Sequence, residues 1–148
     1  AEPYEMASFL NRMQKLARVP LIVGGDFERG ASMRVANTTK FPHLMAYGAA
    51  GDLEATKLLG AATAREARAL GVHWVFAPDA DVNNNPANPI INTRSFGENP
   101  EQVAAHVKAF IAGAKSDPKS LVLVTVKHFP GHGDTATDTH MSLATVTA

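Results

Sequence analysis

The chain has 148 residues, 45% of them hydrophobic, enough for one buried core and without the bias of a disordered or fibrous protein. Its 14 basic and 14 acidic side chains cancel, which removes the electrostatic case for a nucleic acid or an anionic membrane as partner. There is no cysteine, so disulfide frameworks and thiolate metal sites are excluded, and no apolar run approaches the roughly 20 residues of a membrane span.

The first predicted element is an amphipathic helix over 3–17. Pro3 suits a first turn, and Met6, Phe9, Leu10, Met13, Leu16 and Ala17 recur on one face. Pro20 stops it, and Leu21-Ile22-Val23 reads as a short buried strand ending at Gly24-Gly25-Asp26. A long helix is predicted over 52–70, with Asp52 as N-cap and Gly71 at its stop. Val72 to Phe76 form a second strand, followed by Asp79 and Asp81. Residues 83–99, rich in Asn and Pro, read as one long loop. Asn99, Pro100 and Gln102 make a capping-box start for a helix to about Ala114 that buries Val103, Val107, Phe110 and Ile111. Leu121 to Val126 are the third strand, running straight into Lys127-His128. His43 and His106 read as solvated surface residues, and His73 as a half-buried strand residue.

Nearly continuous apolar strands alternating with helices predict an α/β fold, parallel pairing and both sheet faces covered. Each strand delivers polar residues at its C-terminal end: Asp26, then Asp79 and Asp81, then Lys127 and His128. Barrels and doubly wound sheets both place their sites at that end, so either architecture remains open at this point. A full eight-unit barrel takes about 250 residues, and three strands fill less than half of one. With no repeat, low-complexity tract or linker, residues 1–148 read as one domain.

The densest polar constellation runs from Lys127 to His140, with three histidines, two aspartates and a lysine directly after a buried strand. Pro130, Gly131 and Gly133 bend the backbone so that these side chains can converge. Asp138 and His140 lie two residues apart, where a carboxylate can accept an imidazole N–H, fix its tautomer and raise its basicity. A histidine tuned in this way can give a proton to a leaving oxygen and later take one from water. A rival reading makes His128, His132, Asp134, Asp138 and His140 ligands of a zinc or iron ion in a metal-dependent hydrolase. Their spacing matches no helix-borne metal motif, and no metal or other cofactor is expected. A second constellation, Gly24 to Arg34, sets Asp26 before arginines in a glycine-containing loop, which suits a polyhydroxylated ligand or a structural ion pair equally. A third, Asn92 to Pro100, places Arg94 just before a helix start.

Together these segments resemble the N-terminal barrel of glycoside hydrolase family 3, in its bacterial β-N-acetylglucosaminidase (NagZ-type) branch. The branch signature K-H-F-P-G-H-G-[DA]-T-x-x-D-[ST]-H is matched without a gap from Lys127 to His140. Phe76 to Asn83, Asn88 to Ile91, Arg94 to Gly97 and Arg65 to Val72 are similar to the family as well. The resemblance implies part of a TIM (β/α)8 barrel and retaining hydrolysis of terminal β-linked N-acetylglucosamine. Asp26 would hold the outer hydroxyls of that sugar, with Arg34 in the same pocket, and Arg94, Lys127 and His128 would complete the cradle. Asp138 and His140 would form the acid/base dyad that this branch uses in place of a second carboxylate. The family nucleophile, an aspartate on a later strand, is expected beyond this sequence. The implied partner is an N-acetylglucosamine glycoside or muropeptide, in a bacterial cytoplasm, periplasm or secreted setting that the sequence leaves open. The remaining strands are expected from further sequence or another chain, because open strand edges are normally covered; a non-catalytic sugar-binding module is the alternative for the chain as given. One departure is plain: the family reads D-Q-E-G-G-R where this chain has Asp26 to Ala31, so Phe27 and Arg29 are expected to alter the loop beside the sugar, the contacts of Glu28 and Arg29 do not carry over from the family, and a different aglycone preference is expected.

Overall fold

The computed structural model describes residues 1–145. Four α-helices, α1 (Pro3–Leu16), α2 (Leu44–Ala50), α3 (Leu53–Leu70) and α4 (Pro100–Ala114), alternate with short strands β1 (Gly24–Gly25), β2 (Trp74–Val75) and β3 (Leu123–Val124). The strands are parallel in the order β1-β2-β3, with Gly24 opposite Trp74 and Trp74 opposite Leu123. Chain-order strands with the crossover helices α3 and α4 packed on each other form an arc of a (β/α) barrel.

The helix boundaries follow their local chemistry. Asp52 accepts the Ala55 N–H at 2.9 Å and starts α3, and Asn99 accepts the Gln102 N–H at 2.8 Å and starts α4. The expected capping box at α4 is only half made: the Gln102 amide donates instead to the Gly48 carbonyl at 2.5 Å and ties α4 to α2. Helix α2 was not expected, because seven residues around Gly48 are too short to show a periodicity. Helices α3 and α4 approach to backbone contact. A Cβ at Gly60 would lie 2.1 Å from the Phe110 carbonyl oxygen, and one at Gly113 would lie 1.9 Å from that of Lys57.

The first strand is displaced from its expected place over 21–23. Gln14 on α1 bonds both backbone groups of Leu21, at 2.8 and 3.0 Å, so that residue is held by the helix and pairing starts at the Val23 carbonyl. Expected coverage of both sheet faces is also corrected. Val72, Val75, Ala77 and Val122 are buried on the helix side, whereas Ile22, Trp74, Leu121 and Leu123 are 38–68% exposed on the other face. Among the described residues nothing covers that face, which in a barrel is the interior. Helix α1 likewise turns Met6 and Leu10 onto the core but leaves Phe9 and Leu16 exposed.

His106 is the clearest correction to the sequence reading. It occupies the inner face of α4, 1% exposed, where Val107 and Ile111 are only half-buried. Its ring stacks on Phe96 with centroids 5.1 Å apart, and Nδ1 lies 2.7 Å from the Thr56 hydroxyl. A satisfied histidine can be buried like an apolar residue, and burial depresses its pKa. No helix of the described residues is long and apolar enough to cross a membrane.

Candidate active site

The C-terminal ends of the three strands meet around a cleft of about 440 Å³. Pairing continues past β2 and β3 as a bridge between Asp79 and Lys127, with the Ala80 N–H donating to the Lys127 carbonyl at 2.7 Å. This extension sets Lys127 and His128 beside Asp79 and Asp81, across from the Asp26 end of β1.

Lys127 Nζ lies 2.9 Å from Asp26 and 2.7 Å from Glu28. Arg94 grips Glu28 in a fork, Nη2 at 2.9 Å from one oxygen and Nε at 3.1 Å from the other. Arg34 stands more loosely, 3.6 Å from Asp26 and half exposed. Burial alone would raise the Glu28 pKa, but the Arg94 and Lys127 hydrogen bonds and charges outweigh it and hold the carboxyl below its usual value. Asp26, Arg34, Arg94, Lys127, His128 and His140 thus all stand on the wall of one cleft, and Asp138 stands behind His140. The Asp138 carboxylate accepts both the backbone N–H of His140 at 2.9 Å and Nδ1–H at 2.7 Å, and these bonds lower its pKa. Among the described residues that pairing leaves His140 Nε2 as the free ring nitrogen.

Sequence reasoning placed Asp79 and Asp81 at a strand end without a role and gave none to Glu28, yet these three carboxylates organise this wall. Glu28 sits in the loop whose family resemblance breaks down, yet it is 5% exposed and joins Arg94 to Lys127. Asp81 accepts the backbone N–H and Nδ1 of His128 at 3.2 and 2.5 Å, and the His132 N–H at 2.6 Å. Those bonds hold it ionised despite burial. Asp79 is fully buried, and burial and the neighbouring Asp81 charge push it up to about 8. The signal for Asp79 and Asp81 was their position at a strand end, together with the cost of burying an unpaired acid; Glu28, three residues past β1, carried no such signal.

The two departing residues of this loop separate in fate. Phe27 turns into the core, 1% exposed, whereas Arg29 lines the cleft wall. The loop over 83–99 is held from inside by Asn88, whose Oδ1 accepts the Ile90 and Ile91 N–H groups at 2.9 and 2.7 Å. Its Nδ2 donates to the His132 carbonyl at 2.6 Å, and a short 3-10 turn, Asn92–Arg94, then aims Arg94 inward. A Cβ at Gly133 would lie 1.7 Å from the Val82 carbonyl oxygen, so only glycine lets the two loops touch.

The ligand set of the metal rival does not gather. Among the described residues the one cluster of potential ligands is Asp79, Asp81 and His128, without Asp134, Asp138 or His140. There Arg94 lies 3.8 Å from Asp79 and His128 Nδ1 is already spent on Asp81, so a cation would meet a guanidinium and a ring N–H.

Comparison with known proteins points one way. Residues 4–148 match the family described as glycosyl hydrolase family 3 N terminal domain. Beta-hexosaminidase A of Pseudoalteromonas piscicida is 41% identical over 157 residues, covering 96% of this chain and 25% of that protein. The structure of a glycoside hydrolase family 3 β-N-acetylglucosaminidase from a Paenibacillus species is 42% identical with a TM-score of 0.91, over 99% of this chain and 28% of that one. NagZ of Neisseria gonorrhoeae, in complex with N-trifluoroacetyl-D-glucosamine, is 28% identical with a TM-score of 0.85, over 97% of this chain and 44% of that one. The chain therefore spans about a quarter of the length of the first of these relatives.

Proposed function

This chain belongs to glycosyl hydrolase family 3 through its N-terminal domain, and on that premise we propose that it supplies the sugar cradle and acid/base pair of a retaining β-N-acetylhexosaminidase. The observation that carries the proposal is the convergence of Asp26, Arg94, Lys127 and His128 on a cleft that His140 overlooks. Asp26 accepts sugar hydroxyl protons, while Lys127, Arg94 and Arg34 donate to hydroxyl oxygens from fixed positions. The substrate is a glycoside with a terminal β-linked N-acetylglucosamine, as in a muropeptide, in keeping with the sugar analogue bound by the gonococcal relative.

The reaction is a double displacement. Protonated His140 gives its Nε2 proton to the glycosidic oxygen as the bond to the anomeric carbon breaks and a carboxylate attacks that carbon. Neutral His140 then takes a proton from water as the water oxygen displaces the carboxylate. Asp138 supports the imidazolium and keeps Nε2 pointed outward.

The attacking carboxylate belongs to another part of the protein. Among the described residues the carboxylates on the cleft wall are Asp26 and Glu28, and both are committed to cations. This favours a second reading for the 148 residues by themselves, namely binding of the sugar without turnover. The test compares the full-length protein with the 148-residue chain, scoring N-acetylglucosamine binding and aryl β-N-acetylglucosaminide cleavage separately. Binding by both with cleavage only by the full-length protein is expected; absence of both activities from the full-length protein rejects the proposal.

A further inference from the structure

We propose that His132 is a positioning residue for the acid/base pair, holding Thr139, which lies between Asp138 and His140, through its imidazole ring. This inference rests on the reading of the site given above.

His132 is built into the body of the protein from two sides. Asp81 accepts its backbone N–H at 2.6 Å, and its carbonyl accepts the Asn88 amide at 2.6 Å. The ring is then threaded between two hydroxyls, with Nδ1 2.6 Å from Thr135 Oγ1 and Nε2 2.8 Å from Thr139 Oγ1. The direction of these two bonds follows the tautomer of His132, and each tautomer serves both hydroxyls: with the proton on Nδ1, that group donates to Thr135 and Nε2 accepts from Thr139; with the proton on Nε2, the directions reverse.

The segment that this bond holds has little else to fix it. The His140 side chain is 75% exposed and that of Asp138 33% exposed. Their mutual bonds are internal to the segment, and those from Met141 and Ser142 to the Asp138 carbonyl run only to its immediate neighbours. Among the described residues, the contact from Thr139 to His132 is the hydrogen bond that joins 138–140 to the rest of the chain. A buried carboxylate thus holds a buried imidazole, which holds a threonine, which sets the proton donor over the cleft. Misplacing a general acid slows the step that needs its proton and spares a step that does not.

The test uses the full-length protein with Thr139→Val and Thr139→Ser, two N-acetylglucosaminides of poor and activated leaving groups, and N-acetylglucosamine affinity as a control. Loss of one hydrogen bond predicts that Thr139→Val slows cleavage of the poor leaving group about three- to tenfold. In kcat/KM, which reports the first displacement, the activated aryl glycoside should lose less, sugar affinity should hold, and Thr139→Ser should recover most of the loss. Equal loss on both substrates, no loss on either, or no recovery with serine overturns the positioning role while leaving the glycosidase reading intact. Failure of the unmodified protein on both substrates instead overturns that reading, and the positioning role with it.

Discussion

Asp81 Oδ2 lies 2.5 Å from His128 Nδ1, and this single contact decides which face of the imidazole meets the cleft. With Nδ1–H turned toward the carboxylate, Nε2 is an acceptor, and Arg94 Nη2 stands 3.2 Å from it. The other Asp81 oxygen takes the His132 N–H, so one buried acid clamps both ends of the turn from His128 to His132. The groups that face the cleft are therefore placed by acids set behind them.

Replacement of Asp81 by Asn should loosen that turn. The amide has one acceptor oxygen where the carboxylate serves three N–H groups. A loss of about 2–3 kcal/mol in unfolding free energy is expected, together with weaker N-acetylglucosamine binding. Denaturant titration with a parallel binding assay checks this, and unaltered stability would show that the clamp is not needed.

Asp79 should give the protein an unusual pH dependence. Among the described residues its Oδ2 is buried without a hydrogen-bond partner, and its pKa stands at about 8 against an ordinary 3.8. A carboxyl whose pKa rises on folding takes up a proton, so its contribution is fully present below 3.8 and is lost as pH rises toward about 8. Asp79→Asn removes this dependence. The variant's melting temperature relative to the parent should climb between pH 5 and pH 8, and a constant difference would contradict the assignment.

Glu28 has the opposite sign. Arg94 and Lys127 hold it below 4.5, so its contribution is present above that value and is lost as pH falls through its folded-state pKa. Glu28→Gln leaves two cations facing a neutral group, at a cost of about 3 kcal/mol near neutral pH. The deficit against the parent should shrink in acid, as chemical denaturation at pH 7 and pH 4 would reveal.

The contact between α3 and α4 carries a purely steric prediction. Gly60→Ala drives a methyl group to 2.1 Å from the Phe110 carbonyl oxygen, so the helices must part. A loss of about 1–3 kcal/mol is expected from overpacking, against the small gain that alanine brings to an exposed helical position. Thermal melting of this variant distinguishes the two.

Elements written in local chemistry were legible in the sequence: Asp52 and Asn99 announce α3 and α4, and apolar runs announce the last two strands. Elements set by tertiary context were not. The first strand moved because Gln14 captures Leu21 across the connection from α1, a long side chain's choice that no periodicity reveals. His106 looked like a surface residue because its partners Thr56 and Phe96 are distant in sequence. The candidate site divided in the same way. Asp26, Lys127, His128, Asp138 and His140 stand in compact motifs or at strand ends, whereas the work of Glu28, Asp79 and Asp81 emerges only when three strand tips are brought together.

The most direct test of the central claim is the leaving-group dependence of a His140→Ala variant of the full-length protein. If His140 delivers the proton to the departing oxygen, cleavage of an N-acetylglucosaminide with a poor leaving group should fall by about 10²–10⁴. For an activated aryl glycoside, which departs without protonation, kcat/KM should be largely retained, because it reports the first displacement and not the later one in which His140 activates water. Equal loss of kcat/KM on both substrates would contradict His140 as the acid.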